Sequence, residues 1–312
     1  MVATSQLTSA PDEDTMSRLV PRSLAERTVT MVIRDAVALT KPRLTSLVLC
    51  TTTGGIGLAG GKIFSLHTLL TLLGTTLAVA GAHTLNCWME RDLDAHMERT
   101  RDRPLPAGRF DPRAALALGI VYSLASLPVL FLGVNPLTGL LGAIALASYV
   151  LLYTPMKTRT PAALYVGAIP GALPPLMGWT AVTNRLEPAG VVLFAILFVW
   201  QLPHFLAIAI HRKDDYARAG MKTLPIVRGD AVASRHIALW VLALVPVTLA
   251  LVPLGVAHWI YGAAAVGLGA WFVAVSLKGL RGQTDGAWAR KVFLTSLVHL
   301  TGLFIALIAD AR

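Results

Sequence analysis

Charge is scarce in this sequence. Only 14% of its 312 residues are Asp, Glu, Lys or Arg, where a soluble domain carries about 25%. By contrast 55% are hydrophobic, and mean hydropathy is +0.64. That balance excludes an ordinary soluble globule and makes a membrane protein the expectation. Cysteine is also scarce. Cys50 and Cys87 lie at or within apolar runs, form no disulfide framework and read as small buried residues. There is no P-loop, Rossmann glycine pattern, H-E-x-x-H or G-x-S-x-G, so ATP hydrolysis, hydride transfer and serine chemistry have no motif to rest on. No short apolar core follows a basic start, which argues against a signal peptide. Residues 1–30 are polar and read as a flexible cytoplasmic tail, and residues 31–43 as an amphipathic lead-in at the membrane surface.

What remains is a series of long stretches free of charge. A spanning helix needs about 20 mostly apolar residues. The stretches predict nine transmembrane helices near 44–61, 66–90, 114–132, 137–155, 161–182, 188–211, 236–254, 258–277 and 291–309, forming one all-α domain over 31–312. The 27 Lys and Arg residues collect in alternate connections; only Lys62, Arg185 and Arg312 fall on the other side. By the positive-inside rule the N-terminus and the large loops are cytoplasmic. The net charge of +10 is therefore mainly a topology signal, and nucleic acid is not an expected partner.

Topology needs no acids. From Lys41 onward there are twelve, and nine of them sit in two loops on the same side. The first begins N-C-W-M-E-R-D-L-D at Asn86. Asn86, Glu90 and Asp94 recur at i, i+4 and i+8 and share a face if the helix continues. Such a stack of oxygens suits Mg²⁺, which keeps waters and shares its shell with substrate phosphates. Arg99, Arg101, Arg103 and Arg109 follow, as groups able to hold phosphate oxygens. The second loop carries Asp214, Asp215 and Asp230 among Lys213, Arg218 and Lys222. R-P-L-P-A-G-R at Arg103 and K-T-L-P-I-V-R-G at Lys222 echo one another after each acidic cluster, which suggests two half-sites facing each other across a bundle. Lys157 and Arg159, in a short loop on the same side, read equally as phosphate clamps or as topology charge. In W-Q-L-P-H-F, Gln201 and His204 lie at membrane depth beside Pro203. Polar groups there either line a cavity or bond between helices. His83 reads as cavity-facing or as a buried core histidine, and His211 as a support for Asp215 or as a solvated helix end.

The run N-x-x-x-E-x-D-x-D-x-x-M-x-R-T-x-x-R-P-L-P (Asn86–Pro106) resembles the first motif of the UbiA-type intramembrane prenyltransferases. Y-T-P-M-K-T-R-T-P, P-P-L-M-G-W, W-Q-L-P-H-F and R-K-D-D-Y-A-R-A-G-M-K-T-L-P are similar to the branch that farnesylates protohaem IX. The resemblance covers about residues 35–310. It implies a helical bundle around a central cavity in the cell membrane, with its active site towards the cytoplasm. It further implies transfer of farnesyl from farnesyl diphosphate to a vinyl group of haem b, with Mg²⁺ or Mn²⁺ as cofactor. By position, Asn86, Glu90, Asp94 and Asp215 become the metal-binding and catalytic set. Arg99, Arg103, Lys157, Arg159, Lys213 and Lys222 become diphosphate contacts, and His204 and Gln201 haem contacts. The expected partners are membrane lipid and either a second copy of the chain or a haem A synthase. Two features depart from quinone-type relatives: Cys87 stands where they carry Asp, and Ala219 where their second motif repeats Asp. An enzyme prenylating 4-hydroxybenzoate or dihydroxynaphthoate is the alternative. A transporter would carry charges deep in several helices, and here they stop at the ends.

Overall fold

The computed structural model describes residues 28–310. The polar tail lies, up to Arg27, outside the described residues, as does Arg312. Among the described residues every regular element is helical. In chain order these are α1 (Val29–Leu39), α2 (Pro42–Leu58), α3 (Leu66–Met89), the single turn α4 (Arg91–Asp94), α5 (Pro112–Gly133) and α6 (Pro136–Ala147). α6 runs on through a π-helical turn at Ser148–Tyr153 to Met156. There follow α7 (Ala163–Thr183), α8 (Pro188–His211), α9 (Lys213–Arg218), α10 (Leu224–Arg228), α11 (Asp230–Leu249), α12 (Trp259–Leu277) and α13 (Gly286–Asp310).

Seven helices are long and apolar enough to cross a membrane: α3, α5, α6 with its π turn, α8, α11, α12 and α13. α2 has 17 residues. In α7, Pro170, Pro174 and Pro175 with Gly167, Gly171 and Gly178 dilute the apolar content. Two helices begin five or six residues before their expected spans. α11 starts at Asp230 and not at 236, and α13 at Gly286 and not at 291. A helix goes on past the hydrocarbon edge as long as its backbone bonds are satisfied, so Arg235, Arg290 and Lys291 sit on helical turns at the bundle's rim.

Local sequence sets these ends. Proline at the first turn, where no intrahelical donor is lost, opens α2, α5, α6 and α8. Ser65, Asp111 and Asn135 cap α3, α5 and α6 by accepting from backbone N–H groups, each such cap contributing about 1 kcal/mol. Asn135 also donates to the carbonyls of Thr180 and Ala181 at 2.8 and 3.2 Å, tying the start of α6 to the end of α7. At the other terminus, Asp310 accepts from the N–H groups of His258 and Tyr261 and so caps α12.

Around the bundle, α3 lies on α5, α5 on α6, α6 on α7, and α7 on both α2 and α8. The second half continues from α8 to α11 and α13, with α12 between those two. α8 is central: 61% of its apolar window is buried inside the protein, against 22% for α5. Glycine allows one close crossing. A Cβ on Gly178 would lie 2.0 Å from the Thr52 carbonyl oxygen, and one on Gly55 would lie 2.1 Å from that of Pro175. α2 and α7 therefore touch backbone to backbone, the small-residue contact typical of membrane helices. On α1, Val29, Val32, Ile33 and Val37 are exposed while Asp35 and Leu39 are buried. That is an amphipathic helix with its apolar side free.

Candidate active site

The first acidic motif sits where α3 ends. Glu90 leaves α-helical geometry, yet Glu90 N–H still donates to the Asn86 carbonyl at 2.9 Å and Asp94 N–H to the Glu90 carbonyl at 2.7 Å. The i, i+4, i+8 spacing survives the break. All three side chains are buried, with 1%, 8% and 1% of their surface exposed. Buried carboxylates need partners, and each group of the motif has a cation. Lys41 Nζ donates to Asn86 Oδ1 at 2.9 Å, Lys157 Nζ lies 2.7 and 3.0 Å from the two Glu90 oxygens, and Arg103 Nη1 lies 2.6 Å from Asp94 Oδ2. Asn86 Nδ2 donates to Thr154 Oγ1 at 3.2 Å. Apart from Lys157, the buried Glu90 Oε1 has no partner among the described residues.

Two of these cations have shifted pKa values. Burial pulls Lys41 down to about 8. Burial acts the same way on Lys157, but the Tyr153 hydroxyl and the Glu90 carboxylate outweigh it and hold that ammonium above its ordinary value. Lys157 Nζ also sits 4.5 Å from the Tyr153 ring centroid, and cation–π attraction of this kind strengthens as water is excluded. Lys41 has φ +52°, an uncommon backbone state for a non-glycine residue. The Asn86 contact fixes its side chain there.

The second acidic motif joins the first through backbone bonds. Asp215, 8% exposed, accepts from Glu98 N–H at 3.1 Å and from Arg218 Nη2 at 2.9 Å. Lys222 N–H donates to the Lys157 carbonyl at 2.8 Å. The three loops on this side thus form one assembly. Beneath it opens a cavity of about 670 Å³. Arg99, Lys157, Arg212, Lys222 and Arg290 make one part of its wall basic; His204, Phe205, Phe293 and Leu294 belong to its apolar part, where Phe205 and Leu294 are also exposed at the bundle surface.

Not every expected residue reaches this place. Arg159 is exposed and off the cavity wall. Lys213, expected as a diphosphate contact, is paired with Asp230 at 3.0 Å and is off the cavity wall. Gln201 bonds back to the Leu197 carbonyl at 3.0 Å and rests against Gly171, where a Cβ would lie 2.0 Å from Oε1. It stabilises the α7–α8 contact and does not line the cavity. His211 reaches the cavity wall but not Asp215: it is exposed, with Nδ1 3.3 Å from the Gly286 carbonyl. His83 is buried and meets the Tyr149 hydroxyl at 3.3 Å. Among the described residues no three His, Cys, Asp or Glu side chains form a ready metal cage. Lys41, Thr154, Tyr153 and Arg218 were missed from sequence. Of these, Lys41 carried a signal, as a basic residue before the proline that opens a span.

The chain is similar to known proteins in sequence and in fold. The model of the UbiA prenyltransferase family matches residues 47–298. A protein named Protoheme IX farnesyltransferase from Anaeromyxobacter sp. (strain Fw109-5) is 53% identical over 279 residues, covering 89% of this chain and 94% of its own. Its namesake from Myxococcus xanthus (strain DK1622) is 51% identical, covering 89% and 95%. Among solved structures, a digeranylgeranylglyceryl phosphate synthase superposes with a TM-score of 0.75 at 16% identity, covering 89% of this chain and 98% of that one. The UbiA homolog from Archaeoglobus fulgidus bound to GPP and Mg²⁺ gives 0.59 at 16% identity, covering 88% and 99%. At such identities the structures establish the fold.

Proposed function

The chain belongs to the UbiA prenyltransferase family, and we infer from that membership and from the site that it transfers the farnesyl group of farnesyl diphosphate to a vinyl group of haem b, releasing diphosphate and giving haem O. The observation that carries this reading is the 53% identity to a protein named for that activity over nearly all of both chains. The site supports it, since Lys157, paired with the buried Glu90, also lines a large cavity whose wall is basic in one part and apolar in another.

Each group has a task in this chemistry. Lys157, Arg103, Arg99 and Lys222 hold diphosphate oxygens. The donor set of Asn86, Glu90 and Asp94, with Asp215 from the second motif, is made of hard oxygens suited to Mg²⁺, and Glu90 Oε1 has no partner besides Lys157 among the described residues. When bound there, the ion neutralises charge on the departing diphosphate. Lys157 and Arg103 exchange a carboxylate partner for a phosphate one, so their charges serve the leaving group without new desolvation. The apolar cavity keeps water from the allylic cation. The haem vinyl carbon bonds to farnesyl C1 as the C–O bond to diphosphate breaks. Water then adds to the cation left beside the porphyrin and loses a proton, which leaves a hydroxyl.

In the membrane, α2 and α7 cross together with the seven apolar helices. This makes nine spans in the cell membrane, with the N-terminus and the site towards the cytoplasm. The protein's further partners are membrane lipid and either a second copy of the chain or a haem A synthase. The deciding experiment is the product mass after purified protein is incubated with haem b, farnesyl diphosphate and Mg²⁺. A farnesylated, hydroxylated haem is expected. Unchanged haem, with prenylation of 4-hydroxybenzoate or dihydroxynaphthoate when either is supplied in its place, would refute the assignment.

A further inference from the structure

The cavity holds one histidine whose surroundings go beyond packing. The His204 ring lies against Trp200, with centroids 4.6 Å apart and planes at 25°, and Phe293 stands 4.9 Å away. Trp200 is itself anchored, its indole N–H donating to the Ser296 carbonyl at 2.7 Å. The Ser296 hydroxyl is 2.7 Å from His204 Nδ1 and donates to the Phe293 carbonyl at 2.6 Å. A serine hydroxyl has one proton. With that proton on the Phe293 carbonyl, Ser296 Oγ accepts from Nδ1–H. The neutral imidazole then carries its lone pair on Nε2, since each tautomer leaves one nitrogen bare.

Nε2 makes no hydrogen bond among the described residues, and the ring lines the cavity. His299 offers a contrast. Both its nitrogens are sealed from space and without partners, so they can meet no ligand. His204 has the arrangement of a metal-ligating histidine: one nitrogen bare towards open space, the other held by a second group that fixes tautomer and ring direction.

We propose that His204 Nε2 is an axial ligand to the iron of the haem acceptor, and that Ser296 is the positioning residue that presents it. This rests on haem being the acceptor. Ligation fixes the porphyrin at a set distance from α8, in the same cavity that Lys157 and Tyr153 line. The vinyl edge is thereby registered against the diphosphate end by a coordinate bond, where an apolar wall alone would leave the disc free to slide.

The test uses the full chain purified in detergent, with haem b as probe and reduced haem examined by resonance Raman spectroscopy. The parent is expected to show an iron–histidine stretching band. His204→Gly should lose the band and at least about tenfold in haem affinity, equivalent to roughly 1.4 kcal/mol, while binding labelled farnesyl diphosphate like the parent. Added imidazole should restore the band. His204→Gln serves where the glycine variant does not fold. Ser296→Ala should move the band to lower frequency, because Nδ1–H loses its acceptor, and Ser296→Thr should return it. A band unchanged in the His204 variants, or a parent that farnesylates haem without showing one, overturns the ligation and leaves the function standing. A band unmoved in Ser296→Ala overturns the positioning role. A parent that neither binds nor farnesylates haem overturns the acceptor and the ligation with it.

Discussion

Replacing Lys157 by Met removes the ammonium and keeps most of the stem, so the change tests charge more than volume. In the structure the ammonium stands 2.7 and 3.0 Å from the Glu90 oxygens, and the two side chains are 13% and 10% exposed. Deleting one partner of a buried pair costs about 3–5 kcal/mol, because the other charge is stranded. This pair lies at the bundle's end, where water or a proton can reach Glu90, so a loss near the lower limit, about 3 kcal/mol, is expected. A charge-assisted hydrogen bond to a phosphate oxygen contributes about 1.5–3 kcal/mol, which predicts a fall in kcat/KM of roughly 10- to 150-fold. The double variant Lys157→Met, Glu90→Gln strands no charge. It should regain at least about 1 kcal/mol of stability, within the usual range of coupling energies, while turnover stays at or below that of the single variant. Thermal unfolding of the detergent-purified proteins and timed product mass measure the two effects separately. A Lys157→Met protein that unfolds with the parent and turns over within about twofold of it would show that the pair neither stabilises the site nor serves the diphosphate.

Further outcomes follow from other parts of the structure. Asp94→Asn leaves Arg103 without its 2.6 Å partner and removes a charged oxygen from the metal set. Turnover should fall at least about 100-fold, equivalent to roughly 2.7 kcal/mol, with haem binding kept; excess EDTA should also stop the parent, and undiminished turnover in EDTA would exclude a divalent cation. Gly178→Ala forces a methyl against the Thr52 carbonyl and should cost about 1–3 kcal/mol through overpacking, read as a lower unfolding temperature; parent-like stability would mean that the α2–α7 crossing is looser than described. Reporter fusions after Arg109, Arg159 and Arg228 should all report the cytoplasm, and any one of them reporting the exterior breaks the shared face on which the site depends.

The membrane class and the main acidic ladder were legible because both depend on spacing along one chain. Charge-free runs mark spans, and Asn86, Glu90 and Asp94 declare themselves by period. The partners of those acids were harder to read, since they come from other helices. Arg103 was found because it lies nine residues from Asp94 in the same loop. Lys41 looked like topology charge, although it crosses to Asn86 from a segment 45 residues away. Lys213 and Gln201 show the reverse error. Each stands beside a motif, and each turns to a local partner that no pattern announces, Asp230 for one and the Leu197 carbonyl for the other. Ser296, in a run of apolar residues on the last helix, gains its meaning only from His204 on α8.

The π turn at the end of α6 has a consequence at the level of the gene. Such a turn holds one residue more than the α-helix that would replace it. This one places the Tyr149 carbonyl where Thr154 Oγ1 donates to it at 2.9 Å, while the same oxygen accepts from Asn86. Its outer residues, Leu151 and Leu152, are 68% and 52% exposed and face where lipid would be. Loss of a single codon at either position would let the backbone relax to a regular helix, still apolar and still long enough to cross. The span would survive, but the seat of Asn86 would not. One in-frame deletion can thus leave a folded bundle with a disordered catalytic roof, so alignment gaps in this turn would mark relatives whose chemistry has drifted.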